Sequence, residues 1–178
     1  MNIANKLTVF RVILVPVFLL FMLSDFTAYN RWIAFAVFVI ATITDKLDGT
    51  IARKYNMITA FGKFMDPIAD KLLVCSALVC LGCLGEIPAW VVVLIIAREF
   101  AISGMRLVAA EAGVTIAASW WGKIKTIAQM AMIIIMLMDV PELFVLSQVV
   151  MYASVVLTVV SLVDYMIKNI GVLKFKDI

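Results

Sequence analysis

Residues 45–70 read DKLDGTIARKYNMITAFGKFMDPIAD, and this segment contains four aspartates, Asp45, Asp48, Asp66 and Asp70. The segment lies in a chain that is 65% hydrophobic, with a mean hydropathy of +1.12. Carboxylates at membrane depth are energetically expensive, and they usually mark a functional site. The segment therefore indicates a membrane protein and also the place of its functional site.

The composition of the 178 residues predicts an all-α polytopic membrane protein, a bundle of six transmembrane helices in a single domain over residues 1–178. Each predicted span is close to the ~20 residues that cross the hydrocarbon core of a bilayer. The spans are expected at about residues 8–24, 31–54, 62–83, 88–110, 120–138 and 143–167. The polar start of the chain does not resemble a signal peptide, so the first span is expected to stay in place.

Basic residues fall at one set of helix ends and predict the orientation. This set comprises Lys6, Arg11, Arg53, Lys54, Lys63, Arg106, Lys123, Lys125, Lys168, Lys174 and Lys176. The opposite ends have Asp25, Arg31, Glu86, Asp139 and Glu142. The positive-inside rule then places both termini and the active site on the cytoplasmic side of the cell membrane.

Histidine is absent, which excludes phosphohistidine chemistry and histidine-based zinc sites. The three cysteines, Cys75, Cys80 and Cys83, lie in or near one apolar stretch. We expect them to be buried thiols rather than metal ligands or disulfide partners.

Helical spacing groups the residues of the aspartate segment into two faces. Asp45, Asp48, Gly49 and Ala52 recur at i, i+3, i+4 and i+7, and Gly62, Asp66 and Asp70 recur at i, i+4 and i+8. A short cytoplasmic turn joins the two helices, so we expect antiparallel neighbours whose aspartate faces meet in the cytoplasmic third of the bilayer.

Four close carboxylates do not all stay ionised without counter-charges in a low dielectric. Two divalent cations would neutralise them, and oxygen ligands favour Mg²⁺ or Mn²⁺ over Zn²⁺. Gly49 and Ala52 leave room for a bulky ligand on the same face, and Arg53 adds a donor for phosphate. The alternative is that the aspartates only form structural ion pairs with neighbouring basic residues, but this leaves the small residues on the same face unexplained. Those basic residues are Lys46, Arg53, Lys63 and Lys71.

The pattern Asp45-x2-Asp48-Gly49-x2-Ala52-Arg53-x8-Gly62-x3-Asp66-x3-Asp70 resembles the signature of the CDP-alcohol phosphotransferase family at every specified position. The resemblance implies a six-helix membrane fold, a two-metal site, a CDP-linked lipid substrate and a homodimer. It implies that Asp45, Asp48 and Asp66 are metal ligands and that Asp70 is a ligand or the general base. It also implies that Gly49, Ala52, Arg53 and Gly62 bind the CDP-lipid.

Further segments are similar to those of bacterial phosphatidylglycerophosphate synthases within this family. They are Asn5-Lys6-Leu7-Thr8-x2-Arg11, Asp66-Pro67-x-Ala69-Asp70-Lys71, Arg98-Glu99-Phe100, Ser103-Gly104-x-Arg106 and Ala118-Ser119-Trp120-x-Gly122-Lys123-x-Lys125-Thr126. This similarity implies transfer of the phosphatidyl group from CDP-diacylglycerol to sn-glycerol 3-phosphate, with release of CMP.

An anionic acceptor also fits the charges of the fourth and fifth spans. Arg98 and Arg106 share a face at i, i+8, and Lys123 and Lys125 begin the next helix. We expect these four cations to bind the acceptor phosphate. The alternative for the two lysines is snorkelling to lipid headgroups. Arg98 lies near mid-span and needs a buried partner such as Glu99.

Two other interpretations remain at this point. Another acceptor of the same family, such as serine, an inositol phosphate or phosphatidylglycerol, would give a different lipid product. A divalent-cation transporter would use the same carboxylates, but it predicts further acids along a path to the outer face. The sequence shows no Ser/His or Cys/His nucleophile, so a direct displacement is expected, with no nucleic acid as partner.

Overall fold

A computed structural model of the chain is built from six long helices. It describes residues 3–54, 60–111, 113–114, 116–117 and 119–169, without the side chains of residues 3–6, 45–54, 60–64, 66–67 and 70. The helices are α1 (Ile3–Leu23), α2 (Asn30–Lys54), α3 (Ala60–Cys83), α4 (Ala89–Glu111), α5 (Trp120–Met138) and α6 (Phe144–Asn169), with a 3₁₀ turn at Pro141–Leu143. These described residues include no strand, so the prediction of an all-α chain with six helices is confirmed.

The length and apolar character of a membrane span are seen at α5 and α6. Two stretches of the described chain, Trp120–Met138 and Pro141–Asn169, are long and apolar enough to cross a bilayer. On α6 the exposed side chains are mostly valine, leucine and isoleucine, for example Val145 and Val156. A helix that is apolar on its exposed face suits lipid rather than water.

Two glycines end helices α3 and α4 in the same way. Gly85 and Gly113 have φ angles of 79° and 73°, in the left-handed region that glycine adopts without steric cost. The residue after each glycine donates its backbone N–H to a carbonyl five residues back, at 3.0 Å to Leu81 and 2.8 Å to Ala109. These are Schellman caps. They end the helices at two of the breaks that the sequence predicted.

The residues group into two compact units, and the first consists of Met1–Glu86 with Met136–Asp139. In this unit α1 packs against both α2 and α3. The rings of Phe18 and Phe38 lie 6.0 Å apart between α1 and α2, and both side chains are fully buried. Buried alanines on α2 and α3, such as Ala41 and Ala77, allow the close helix approach that membrane packing requires.

The second unit consists of Ile87–Ile135 with Val140–Ile178, and in it α6 packs against α4. The buried face of α6 repeats every three or four residues and is mostly small and hydroxylated. It comprises Ser147, Met151, Ser154, Thr158, Ser161 and Tyr165. The Thr158 and Ser161 hydroxyls donate to helix carbonyls of Ser154 and Thr158, at 2.7 Å and 3.1 Å. Small side chains thus bring α6 close to α4 with most hydroxyls satisfied inside the helix.

Arg31 joins three segments of the first unit at the ends that were predicted to face outward. Its guanidinium forms a two-pronged ion pair with Glu86, in the turn after α3. It also donates to the Met136 carbonyl at the end of α5, at 2.7 Å, and lies 3.7 Å from the Asp139 carboxylate. The Arg31 side chain therefore connects the first turn of α2 with the turn after α3 and with the end of α5.

Glu86→Gln is expected to destabilise the fold by about 1–2 kcal/mol, because a half-buried bidentate charge pair becomes at best a single neutral hydrogen bond. Thermal unfolding of the detergent-solubilised protein measures this. The matched control is Glu142→Gln on the exposed 3₁₀ turn. Equal unfolding temperatures for the two variants would contradict a stabilising role for the Arg31 pair.

The cysteines follow the sequence prediction only in part. Cys80 is buried, Cys75 is half-buried and Cys83 is exposed, so the expectation of a buried thiol is wrong for Cys83. Cys80 and Cys83 are spaced as C-x-x-C in the last turn of α3, and both are free thiols. Exposure of Cys83 follows from its position at the helix end, where fewer neighbours cover it.

Candidate functional site: an aspartate motif and a basic cluster

The aspartate motif falls on two helices, as its spacing predicted. Asp45, Asp48, Gly49, Ala52 and Arg53 lie in the last three turns of α2. Gly62, Asp66 and Asp70 lie in the first three turns of α3. Because the helix is continuous through each segment, the first four α2 positions share one face at i, i+3, i+4 and i+7, and the α3 positions share one face at i, i+4 and i+8. The side chains of all eight residues lie outside the described part, so the expected meeting of the aspartates remains a prediction.

The donor set of this motif fits divalent cations. Helical backbone at both segments places two aspartate positions on one face of α2 and two on one face of α3. All four are carboxylates, the ligands that Mg²⁺ and Mn²⁺ prefer. Among the side chains that the structure describes, no group of three or more His, Cys, Asp or Glu residues is placed to hold a metal ion.

Arg11 lies on α1, the helix that packs against both aspartate-bearing helices. Its side chain is 1% exposed. A buried guanidinium at membrane depth is costly, and such residues mark functional regions. The sequence analysis used Arg11 for the orientation of the chain and for the family resemblance but gave it no role in the site, although its place inside an apolar helix was already a signal.

The second set of candidate residues, Arg98, Arg106, Lys123 and Lys125, is called the basic cluster here. Arg98 is 7% exposed on α4. Its Nη1 donates to Glu99 Oε1 at 3.2 Å, and its Nε donates to Ser161 Oγ on α6, also at 3.2 Å. The prediction that Arg98 needs Glu99 as a partner is confirmed.

Lys125 of α5 is completely buried, with a side-chain exposure of 0%. Its ammonium donates to Glu99 Oε1 and to Gln129 Oε1, one turn further along the helix. A side chain held in this way does not snorkel to lipid headgroups, so that alternative is wrong for Lys125. The single Glu99 carboxylate therefore bonds to two cations from two helices.

Arg106 and Lys123 are exposed, in contrast to Arg98 and Lys125. The Arg106 Nε donates to the Tyr165 hydroxyl on α6 at 3.4 Å, and its guanidinium carbon lies 5.7 Å from the centre of the Tyr165 ring. The Lys123 ammonium lies 5.6 Å from the ring centre of Trp120. Both cations rest on aromatic rings, which leaves their charges accessible to an anion.

Gly122 brings the first turn of α5 close to Arg98. A Cβ at position 122 would lie 3.4 Å from Arg98 Nη2. The Gly122 N–H donates to Ser119 Oγ at 3.2 Å, which caps the start of the helix. The Nη2 group, the donor of Arg98 that Ser161 and Glu99 do not use, therefore lies beside the positive end of the α5 dipole.

Three contact residues of the basic cluster did not appear among the sequence candidates. Gln129 follows Lys125 by four residues, so helical spacing could have identified it. Ser161 and Tyr165 come from α6, which is remote along the chain from Arg98 and Arg106. The sequence contains no local signal for these two partners.

Comparison with known proteins identifies the family. The family model described as CDP-alcohol phosphatidyltransferase matches residues 1–160. A Mycobacterium tuberculosis protein named "Probable phosphatidylglycerophosphate synthase" is 46% identical, covering 96% of this chain and 84% of its own.

Two proteins named CDP-diacylglycerol–glycerol-3-phosphate 3-phosphatidyltransferase are also similar. The Bacillus subtilis protein is 43% identical over 97% of both chains. The Rickettsia typhi protein is 38% identical over 92% of this chain and 94% of its own. The match over most of the chain, together with the aspartate motif on α2 and α3, shows that the protein is an enzyme of the CDP-alcohol phosphatidyltransferase family.

Proposed function

We propose that the protein transfers the phosphatidyl group of CDP-diacylglycerol to sn-glycerol 3-phosphate, giving phosphatidylglycerophosphate and CMP. The observation that supports this most strongly is 43% identity, along 97% of both chains, to the Bacillus subtilis enzyme named for that reaction. The basic cluster supports a phosphorylated acceptor. A cation transporter is no longer a candidate, because the family is one of transferases.

Members of this family generally depend on divalent cations. We propose that Asp45, Asp48, Asp66 and Asp70 hold two Mg²⁺ or Mn²⁺ ions. When bound, such ions polarise phosphate oxygens and stabilise negative charge on the leaving CMP.

The other motif residues are proposed to bind the donor and to move the proton. Gly49, Ala52 and Gly62 lack bulky side chains and leave space for the CDP group, while Arg53 donates to phosphate oxygens. Asp70 accepts the proton of the acceptor's 1-hydroxyl. The freed oxygen forms a bond to the phosphatidyl phosphorus, and the bond from that phosphorus to the CMP oxygen breaks.

The basic cluster is proposed to bind the acceptor phosphate. The buried Arg98 and Lys125 share the half-buried Glu99 carboxylate, which makes a group of two positive charges and one negative charge. Arg106 and Lys123 add two exposed positive charges. A phosphate dianion compensates this excess, whereas a neutral alcohol such as serine's side chain provides no such charge.

Arg106→Ala is expected to raise the KM for sn-glycerol 3-phosphate about tenfold or more, because it removes a charged phosphate donor. Lys123→Ala is expected to act in the same direction and less strongly, since a lysine is a point charge on a flexible stem. Steady-state kinetics with each substrate varied in turn measures both effects. An equal rise in the KM for CDP-diacylglycerol would show that these cations serve the donor or the fold.

The arrangement in the membrane is also part of the proposal. We place the protein as a single domain that spans the cell membrane several times, with both termini and the aspartate motif on the cytoplasmic side, since the basic residues lie at those ends. A homodimer follows from the family resemblance.

A panel of acceptors tests the proposed reaction. Purified protein with CDP-diacylglycerol and Mg²⁺ is supplied with sn-glycerol 3-phosphate, serine, an inositol phosphate or phosphatidylglycerol, and CMP release is followed. We expect release with glycerol 3-phosphate alone. Release with another acceptor and none with glycerol 3-phosphate would assign the enzyme to a different branch of the family.

A further inference from the structure

The contacts of Glu99 raise a question about the roles of its two cationic partners. Glu99 Oε1 accepts from Arg98 Nη1 and from Lys125 Nζ. Lys125 is fully buried, and its ammonium also donates to Gln129. Because the Lys125 side chain is 0% exposed, a ligand could reach its ammonium only if these contacts moved, which would weaken the hydrogen bonds of the half-buried Glu99 carboxylate or the buried Gln129 amide.

Arg98 is held differently. Ser161 fixes Nε and Glu99 fixes Nη1, so two of the three guanidinium nitrogens have protein partners. The third, Nη2, lies beside Gly122, where the missing side chain leaves room next to this nitrogen of the otherwise buried guanidinium. A planar guanidinium that is fixed on two nitrogens presents its third in a defined direction.

We propose that Glu99 and Lys125 are positioning residues: Lys125 orients the Glu99 carboxylate, Glu99 orients Arg98, and Nη2 of Arg98 reaches the acceptor phosphate. This inference rests on the proposed function and refines it, because Lys125 then acts without touching the substrate. Its physical basis is the shared Glu99 oxygen, which couples α5 to the guanidinium on α4.

Glu99→Gln distinguishes this positioning role from a purely electrostatic one, because the two predict opposite changes in the KM for sn-glycerol 3-phosphate. Removing a negative charge beside an anion site strengthens anion binding by Coulomb attraction and lowers the KM for sn-glycerol 3-phosphate. Losing the group that orients Arg98 raises that KM instead. We expect a rise of roughly 10- to 100-fold, the range that misplacement of a positioning group produces. The KM for CDP-diacylglycerol should change by no more than about twofold, which is small beside the expected rise in the KM for glycerol 3-phosphate.

Glu99→Asp is the second variant, since it keeps the charge balance that a buried lysine needs for folding. The shorter side chain does not reach both cations, so the KM for glycerol 3-phosphate should again rise. Lys125→Met should raise it about tenfold. Combining Lys125→Met with Glu99→Gln should add little, because the two residues act in one chain of contacts. Lys168→Met is the matched control, since Lys168 is an exposed lysine of the same unit.

Kinetics of these variants, with unfolding temperatures measured alongside, tests the inference. A lower KM for glycerol 3-phosphate in Glu99→Gln would overturn it and make Lys125 a direct phosphate ligand. A parallel rise in both KM values with a lower unfolding temperature would overturn it in favour of a purely structural role. If the wild-type protein releases no CMP with glycerol 3-phosphate, the proposed acceptor is wrong and the inference fails with it. If the wild-type protein is active with glycerol 3-phosphate but Glu99→Gln lowers the KM for it, the inference is wrong and the proposed function stands.

Discussion

Replacing Asp48 or Asp66 with asparagine is expected to reduce CMP release to background. Each substitution keeps the size of the side chain and removes one charged ligand of the proposed metal site. Asparagine offers only a neutral oxygen, and Asp48 and Asp66, unlike Asp70, are proposed to act as metal ligands alone. Chelation with excess EDTA should have the same effect on the wild-type protein, and added Mg²⁺ or Mn²⁺ should restore activity.

Asp25→Asn is the matched control for these variants, because Asp25 lies outside the motif in the turn after α1. It should retain wild-type activity. Unfolding temperatures of all variants separate loss of metal binding from loss of fold. Full activity of the wild-type protein in excess chelator would contradict the two-metal proposal, whatever the variants do.

Asp70→Asn is expected to lower kcat by roughly 10²–10⁴-fold, the usual cost of losing a positioned general base. Asp70 is the last residue of the motif and lies one helical turn beyond Asp66 on α3. The substitution removes basicity while the other three aspartates remain, so binding of CDP-diacylglycerol should survive.

Single-turnover kinetics and donor binding, measured on the same Asp70→Asn preparation, check this expectation. Turnover near the wild-type rate would assign the base role to another group. Complete loss of donor binding would make Asp70 primarily a metal ligand.

The helices were predictable because hydropathy and turn residues act locally. Gly85 and Gly113 end α3 and α4 where the sequence indicated breaks. The largest difference is at α1, which begins at Ile3 rather than near residue 8. Hydropathy marks only the part of a helix that crosses the hydrocarbon core, whereas the hydrogen-bonded helix continues into the polar residues before it.

The partners in the basic cluster were less predictable, since they depend on which helix faces which. The Arg98–Glu99 pair was anticipated because an arginine at mid-span needs a carboxylate nearby. The bond from Lys125 to that same carboxylate joins residues 26 positions apart, and the Arg98–Ser161 bond joins residues 63 positions apart. Helical periodicity does not specify which pairs from different helices come together.

The direct test of the central claim is identification of the lipid product. Purified protein is incubated with CDP-diacylglycerol, labelled sn-glycerol 3-phosphate and Mg²⁺, and the lipid fraction is analysed by mass spectrometry while CMP is quantified. We predict labelled phosphatidylglycerophosphate in equimolar amount to CMP. CMP release with no label in the lipid fraction, or with phosphatidic acid as the lipid product, would contradict phosphatidyl transfer to glycerol 3-phosphate.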